Sequence, residues 1–309
     1  MNTTHIPPVS LSLRSVVLPV LLAANLTAQP ASETQDQIES PSGSGLHTEP
    51  KFAYAFSPES DLERGSKIGD VSIDQFNLEL KVGNRRFADL SVFIGLSEKY
   101  TELDISAGVP LPDHLPAVGL NFGVRRSLAD WFGPEWSGTV MLQTEFSSDS
   151  SGLSDAEESF GGGVFFSYQQ SPTLSWDFGV MGRSLADLPV LPLVGARWDF
   201  APKWRASLGF PSTGVTYDYS ERLKLRAGMS FDGETYHVST ERALGLGDTW
   251  LDYREIRAGV GFDYRINPHL KLILDGGVVV DREFDYFDRN YSIKGDSPGF
   301  LSVGLEARF

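Results

Sequence analysis

The sequence predicts an all-β protein: a transmembrane, up-and-down antiparallel β-barrel of about 12–14 strands, with short periplasmic turns and longer acidic outer loops. Three observations predict it. From Lys51 onward, apolar residues fall on every second position, which in a strand makes one oily face and one polar face. The connections between these stretches are short in one set and mostly long in the other. The chain closes on Leu301-Ser-Val-Gly-Leu-Glu-Ala-Arg-Phe309, an alternating strand with an aromatic residue in its final place.

Composition sets the bounds. A chain of 309 residues suits one barrel domain. The formal charge of −15, without a concentrated basic run, argues against nucleic acid as a partner. Beyond the N-terminus no apolar run is long enough for a transmembrane helix. A barrel instead hides its membrane signal in period-2 alternation. The chain has no cysteine, which excludes disulfides, thiolate catalysis and Cys-ligated metals.

Residues 1–28 read as a secretory signal. Arg14 precedes the short apolar stretch Ser15–Ala24, and small residues follow, with cleavage expected near Ala28. Pro19 inside the stretch argues against a buried helix. Residues 29–49 are rich in Gln, Ser, Pro, Gly, Glu and Thr and read as a flexible polar leader. Residues 50–309 read as the barrel.

Within the barrel, Phe52, Tyr54 and Phe56 alternate. Val71 and Ile73 then lie on one phase and Phe76, Leu78, Leu80 and Val82 on the other, which predicts a bulge between them. Leu90, Val92, Ile94 and Leu96 follow, extended by Leu103 and Ile105. Next come Val118 to Val124, then Trp136 to Phe146, Phe160 to Tyr168, Leu174 to Val180, and Pro192 to Phe200. Trp204, Ala206, Leu208 and Phe210 run to Pro211-Ser-Thr-Gly214, where the phase flips to Val215, Tyr217 and Tyr219 and predicts a kink or bulge. Leu223 to Phe231 lead to Asp232-Gly233, a hairpin-turn dipeptide, with a short strand at Tyr236 and Val238 beyond it. Ile256 to Tyr264, Leu270 to Val280 and the closing strand complete the wall.

The short connections are Gly83-Asn84, Ser171-Pro172, Ala201-Pro202, Asp232-Gly233 and Asn267-Pro268. The long ones are 57–67, 108–116, 148–158, 183–190, 242–251 and 282–297. Residues 127–134 and the turn at Ser220-Glu221 break this alternation. Segregated loop lengths suit a membrane barrel. Trp198 and Trp204 flank one short turn, and Trp131 and Trp136 lie at another connection, as expected of interfacial aromatics.

The closing strand, with Leu301, Val303, Leu305, Ala307 and Phe309 on one phase, resembles the C-terminal signal of bacterial outer-membrane β-barrels. That resemblance implies that the barrel-assembly machinery reads it. The run Pro189-Val-Leu-Pro-Leu-Val-Gly-Ala-Arg-Trp198, with Trp204-Arg-Ala-Ser-Leu-Gly-Phe-Pro211 and Val215-Thr-Tyr217, resembles an uncharacterised family of bacterial outer-membrane barrel proteins filed as a domain of unknown function. It would cover roughly residues 50–309. It implies a barrel and an outer-membrane address, and brings no catalytic residues with it.

Opposite the oily phase lie charged side chains. Arg197, Lys203, Arg205, Arg222, Lys224 and Arg226 fall on the polar phase of what read as three sequential strands, which predicts a basic patch on the inner wall. Asp199 reads as the one carboxylate nearby, with Asp263, Asp275 and Glu306 supplied from the opposite wall.

No Gly-x-Ser-x-Gly elbow, phosphate loop or His-Glu-x-x-His motif is present. The histidines His5, His47, His114, His237 and His269 do not pair at ligand spacing, so no metal or other cofactor is expected. His237-Val-Ser239 is similar to the His-x-Ser pair of outer-membrane phospholipases. Thr240-Glu241 departs from the Asn-Gly expected next, and both side chains read as lumen-facing, away from lipid. The acidic stretch Asp281–Asp288 reads as a solvated outer loop, with hard oxygens but not the spacing of a calcium loop.

These features support a non-enzymatic barrel in the bacterial outer membrane, either a narrow pore or channel or a structural barrel. Its partners would be outer-membrane lipid, lipopolysaccharide and the assembly machinery, with small solutes or ions as cargo. The alternatives are a barrel enzyme acting on lipid or peptide, and a soluble secreted β-protein.

Overall fold

The computed structural model describes residues 48–309 except 88–89, 151, 153–155, 186–188 and 240–244. The expected signal segment and nearly all of the leader lie outside the described residues. β1 (Thr48–Glu63) already includes the last two residues expected to be leader.

The strands that follow are β2 (Lys67–Phe87), β3 (Leu90–Ile105), β4 (His114–Ser127), β5 (Trp136–Ser147), β6 (Glu157–Ser171), β7 (Leu174–Arg183) and β8 (Val190–Ala201). Then come β9 (Trp204–Leu208), β10 (Ser212–Asp218), β11 (Leu223–Val238), β12 (Thr249–Asn267), β13 (Leu270–Tyr286), β14 (Tyr291–Gly295) and β15 (Gly299–Ala307). One helical turn, α1 (Ala129–Phe132), interrupts the sheet between β4 and β5. Neighbouring strands pair antiparallel. β14 and β15 both lie between β13 and β1 as two segments of one strand, so fourteen strands close into a barrel. Closure leaves no free edge along β1 and β15, which register from Lys51↔Glu306 to Phe56↔Leu301.

The wall is oily outside and polar inside over its lower half. Val260 is 66% exposed and Leu301 63%, and many other large apolar side chains share that outer face. A water-soluble protein rarely displays so continuous an apolar surface, whereas lipid requires it. Near the short-turn end the outer face carries aromatic pairs. Trp136 stacks on Tyr168 at 4.8 Å between ring centroids, and Trp204 meets Tyr217 at 4.6 Å. Rings that are part apolar and part polar suit a membrane interface.

Several expected turns fall elsewhere. Asp232-Gly233 is not a hairpin: both residues continue β11, pairing with Glu255 and Arg254 of β12, so Tyr236 and Val238 belong to the same strand. Pro211-Ser-Thr-Gly214 is not a mere kink. The chain reverses at Gly209–Pro211, with Gly209 at φ +127°, and β9 and β10 form a very short hairpin. Gly83, at φ +107°, sits at a register shift within β2 rather than at a turn. No bulge separates Ile73 from Phe76 on β2, because the register shift there lies on β1, between Ser57 and Ser60.

These corrections restore the alternation of connections. The α1 connection and the Ser220–Leu223 hairpin lie at the same end as the other short turns. Residues 57–63 and 282–286, expected as loop, are strand.

Candidate functional site

The interior of the barrel changes character along its axis. At the long-loop end it is an apolar core. Ile73 of β2, Leu103 of β3, Tyr236 of β11, Tyr253 of β12 and Phe284 of β13 are buried there, with Tyr253 stacked on Phe284 at 4.9 Å. The connection between β3 and β4 folds inward, burying Val109 and Leu111, and Tyr286 donates to the Pro110 carbonyl at 2.5 Å. This core explains the phase changes in the sequence. At Ile73 and Phe76, and again at Leu96 and Leu103, the apolar side chains switch from the lipid face to the interior while the strand runs on. Sequence reading missed the core. The phase change that reads as a bulge at Ile73 and Phe76 was the signal for it.

Beneath the core lies a layer of buried charge that spans the barrel. Lys99 Nζ of β3 is 2.7 Å from Asp232 Oδ1 of β11. Arg257 approaches Glu255 at 2.6 Å and Asp232 at 3.8 Å, and donates to Gln75 Oε1 of β2 at 2.5 Å. Arg282 donates to Glu255 at 2.6 Å, to Ser57 at 2.7 Å and to Ser60 at 3.0 Å. Arg183 of β7 holds Glu145 of β5 at 2.6 Å and also bonds Glu234 of β11. Four cations face four carboxylates, a balance that low-dielectric surroundings demand. The pairs join β3 to β11, β7 to β11 and β2 to β12, none of which are neighbours in the sheet. The upper part of β11 therefore leans across the interior.

A row of glycines lies just under this layer. Gly214, Gly228, Gly259 and Gly277 are successive register partners on β10 to β13. A Cβ at Gly228 would sit 2.3 Å from the Thr213 carbonyl oxygen, and one at Gly277 would sit 2.1 Å from that of Ala258. The backbones approach too closely for any side chain. Without side chains on its inner face, the wall brings neighbouring backbones together at this row.

The expected basic patch lies toward the short-turn end. Arg197 is on β8, Arg205 on β9 and Arg226 on β11. These are not three sequential strands, because β10 intervenes and Thr216 registers with both Arg205 and Arg226. Lys203 sits in the β8–β9 turn at φ +70°, and Arg222 precedes β11. The carboxylates come from nearby strands, not from the opposite wall. Arg205 pairs with Asp199 at 2.7 Å, Lys224 with Asp218 at 3.7 Å, and Arg226 with Asp263 at 3.0 Å and Asp275 at 2.9 Å. Asp218, which the sequence reading overlooked, belongs to the intervening β10.

In the closing strand, Leu301, Val303 and Leu305 alternate on the outer face and register with Gly276, Leu274 and Leu272 of β13, and Ala307 registers with Leu270. The Phe309 amide donates to Thr48 O at 3.0 Å, and its ring is exposed.

His237 and Ser239 do not form a pair. His237 lies opposite in phase to the interior residues Tyr236 and Val238, so it does not face the lumen as expected. Its Nε2 is 3.0 Å from Asp248, and its ring meets Trp250. Ser239 donates to Asp149 at 2.7 Å through both its amide and its hydroxyl. The acidic stretch from Asp281 is strand up to Tyr286. Glu283 there bonds Arg254 and Ser292. Among the described residues no group of three or more acidic or His side chains converges on a metal position.

A closed sheet, an oily outer face and a charged, partly sealed interior define a transmembrane β-barrel. The chain belongs to the family described as Domain of unknown function (DUF6268), which matches residues 57–294. No curated protein matches it. Among solved structures it is similar to the COG4313 outer membrane channel from Pseudomonas putida F1, at 10% identity over 87% of this chain and 99% of that one, with a TM-score of 0.48. It is similar to a Pseudomonas aeruginosa FadL homologue at 12% identity over 85% and 90%, TM-score 0.47. It is similar also to the Pseudomonas putida toluene transporter TodX at 10% identity over 93% and 95%, TM-score 0.42.

Proposed function

We propose that the protein is exported through the periplasm to the bacterial outer membrane and serves there as a narrow, non-enzymatic passage for small solutes or ions, closed at rest. The observation that carries this reading is the charged layer bridged by Lys99 and Asp232. A purely structural barrel gains nothing from burying six ionisable side chains and half-burying two more, since well-packed apolar residues of similar size are often as stable or more so. Ion pairs that meet across a lumen can part and re-form, and the apolar core above them, built in part from the inward-folded connection between β3 and β4, moves with them when the passage opens. The closing strand from Leu301 to Phe309, seated between β13 and β1, is the segment we assign to the assembly machinery.

Conductance in planar bilayers tests the reading. The native barrel should show a low baseline with brief openings, and removing both Lys99 and Asp232 side chains should raise it. If neither protein conducts or passes any solute, the passage reading fails and a structural barrel stands in its place.

A further inference from the structure

Charge in the layer is shared out unevenly. Lys99, Arg257 and Arg282 meet two carboxylates, Asp232 and Glu255, whereas Arg183 alone meets two, Glu145 and Glu234. Both of these glutamates bond the same nitrogen, Arg183 Nη2, so their oxygens crowd together. Glu145 is 2% exposed and Glu234 0%, and at that burial solvent screens their repulsion little.

The hydrogen bonds around the pair are uneven too. Glu145 accepts from Arg183 at 2.6 Å through Oε1 and from Gln143 at 3.4 Å through Oε2. Glu234 accepts from Arg183 and from the Thr235 amide, both through Oε1. Its Oε2 is buried without a hydrogen-bond partner among the described residues. An ionised oxygen so placed costs far more than a protonated one, because the charged form loses its hydration without a donor in exchange. Besides Arg183 of β7, the groups facing the pair are Lys99 of β3, whose charge is met by Asp232, and Asp232 and Tyr236 of β11. Asp252 of β12 faces Arg183 and accepts from the Thr235 hydroxyl at 2.6 Å, and Arg254, further along β12, is held by Glu283. With Asp252 counted, five carboxylates meet the four cations of the layer, and one proton restores the balance.

We propose that Glu145 and Glu234 form a proton-binding site, which holds one proton between them while the lumen is closed and gives it up to water when the layer parts. Two buried carboxyl groups drawn onto one donor nitrogen share a single proton, since like charges so close do not both ionise. In the open passage each carboxylate is hydrated and ionised like an ordinary glutamate at neutral pH. The closed state therefore carries one proton more than the open state. By linkage, raising the pH favours opening, by up to about tenfold in the equilibrium constant per pH unit, and lowering it favours closure. The bound proton stands on the geometry alone; its coupling to opening rests on the passage reading above.

Two measurements on the full barrel test the two halves separately. Native-minus-variant infrared spectra at neutral pH read the proton itself, as the carbonyl stretch of a neutral carboxyl group. Glu145→Gln and Glu234→Gln keep the size and shape of a protonated glutamate, and each leaves the other glutamate alone with Arg183. Either substitution should therefore abolish the band contributed by the pair while the barrel stays folded, and Asp252→Asn should leave that band in place. The site is overturned if the native barrel lacks the band, if the band survives either glutamine substitution, or if Asp252→Asn removes it. Open probability in planar bilayers tests the coupling. It should climb with pH in the native barrel and lose that dependence in Glu234→Gln. A conducting barrel whose opening ignores pH sinks the coupling and leaves the passage reading intact. A barrel that conducts at no pH sinks the passage reading, and the infrared band still decides the proton.

Discussion

Lys99 and Asp232 meet at 2.7 Å inside the barrel, although they lie 133 residues apart and on strands that do not touch in the sheet. Lys99 is only 4% exposed, and Asp232 also faces Arg257. Their contact turns two sides of the wall into one body. Breaking such a pair from one side leaves a buried charge uncompensated, which costs about 3–5 kcal/mol. Asp232→Ala, which strands the buried Lys99, should destabilise the barrel by roughly that amount in denaturant titrations in liposomes, and Lys99→Ala by less, because Asp232 is half-buried and keeps Arg257. The double variant should cost less than their sum, with a coupling of about 0.5–3 kcal/mol. Strict additivity would show that the two side chains do not meet.

The lipid face offers a sharper contrast. Leu225 and Lys224 are adjacent on β11, one outward and oily, the other paired with Asp218 at 3.7 Å in an exposed ion pair. Leu225 registers with Tyr217 of the interfacial aromatic row, so the larger cost is expected further along the same outer face: Met229→Arg should cost about 2–4 kcal/mol toward the bilayer midplane, and Leu225→Arg less. Lys224→Ala should cost no more than about 1 kcal/mol, as exposed pairs do. Equal costs would reverse the inside and outside of β11.

The glycine row makes a steric prediction. A Cβ at Gly259 would lie 2.5 Å from the Gly276 carbonyl oxygen, so Gly259→Ala forces two strands apart. Overpacking of this kind costs about 1–3 kcal/mol. Gly276→Ala is the control, because its nearest neighbour would be an oxygen at 3.5 Å, an ordinary contact. The two alanine variants, unfolded side by side, should separate clearly; matching midpoints would mean that β12 and β13 are not packed backbone to backbone at this row.

What the sequence made legible was periodic and local. Leu225, Leu301 and Leu305 repeat at two-residue spacing, so their outward placement could be read directly. Turn dipeptides were less faithful. Asp232-Gly233 has the composition of a hairpin, yet Lys99 and Arg257 hold Asp232 in the interior and the strand runs on past it. No local rule contains a partner 133 residues away. The reverse failure occurred at Gly209–Pro211, where a true hairpin looked like a bulge because its two strands are so short. That one misreading removed β10 from the wall, and with it Asp218, so the basic side chains looked poorer in carboxylate partners than they are.

The basic patch carries the last prediction. Its cations are compensated unevenly. Arg226 stands between Asp263 and Asp275, at 3.0 and 2.9 Å, while Arg222 is exposed at the short-turn rim. Replacing Arg226 with Glu would put three carboxylates where one cation met two. The local field would swing strongly negative, and a charged wall concentrates the opposite ion. Replacing Arg222 changes the charge by the same amount in water-exposed surroundings, where screening weakens it at distances beyond about 10 Å at 0.1 M salt. In a barrel opened by removing Lys99 and Asp232 side chains, reversal potentials in a salt gradient should therefore move toward cation preference much more for Arg226→Glu than for Arg222→Glu. The triple change of Arg222, Lys224 and Arg226 to Glu should move furthest. Raising the salt should erase the Arg222 effect first, because its field reaches the lumen through water. If all three variants keep the parent selectivity while the barrel conducts, ions do not pass along this wall, and the patch has no part in choosing them.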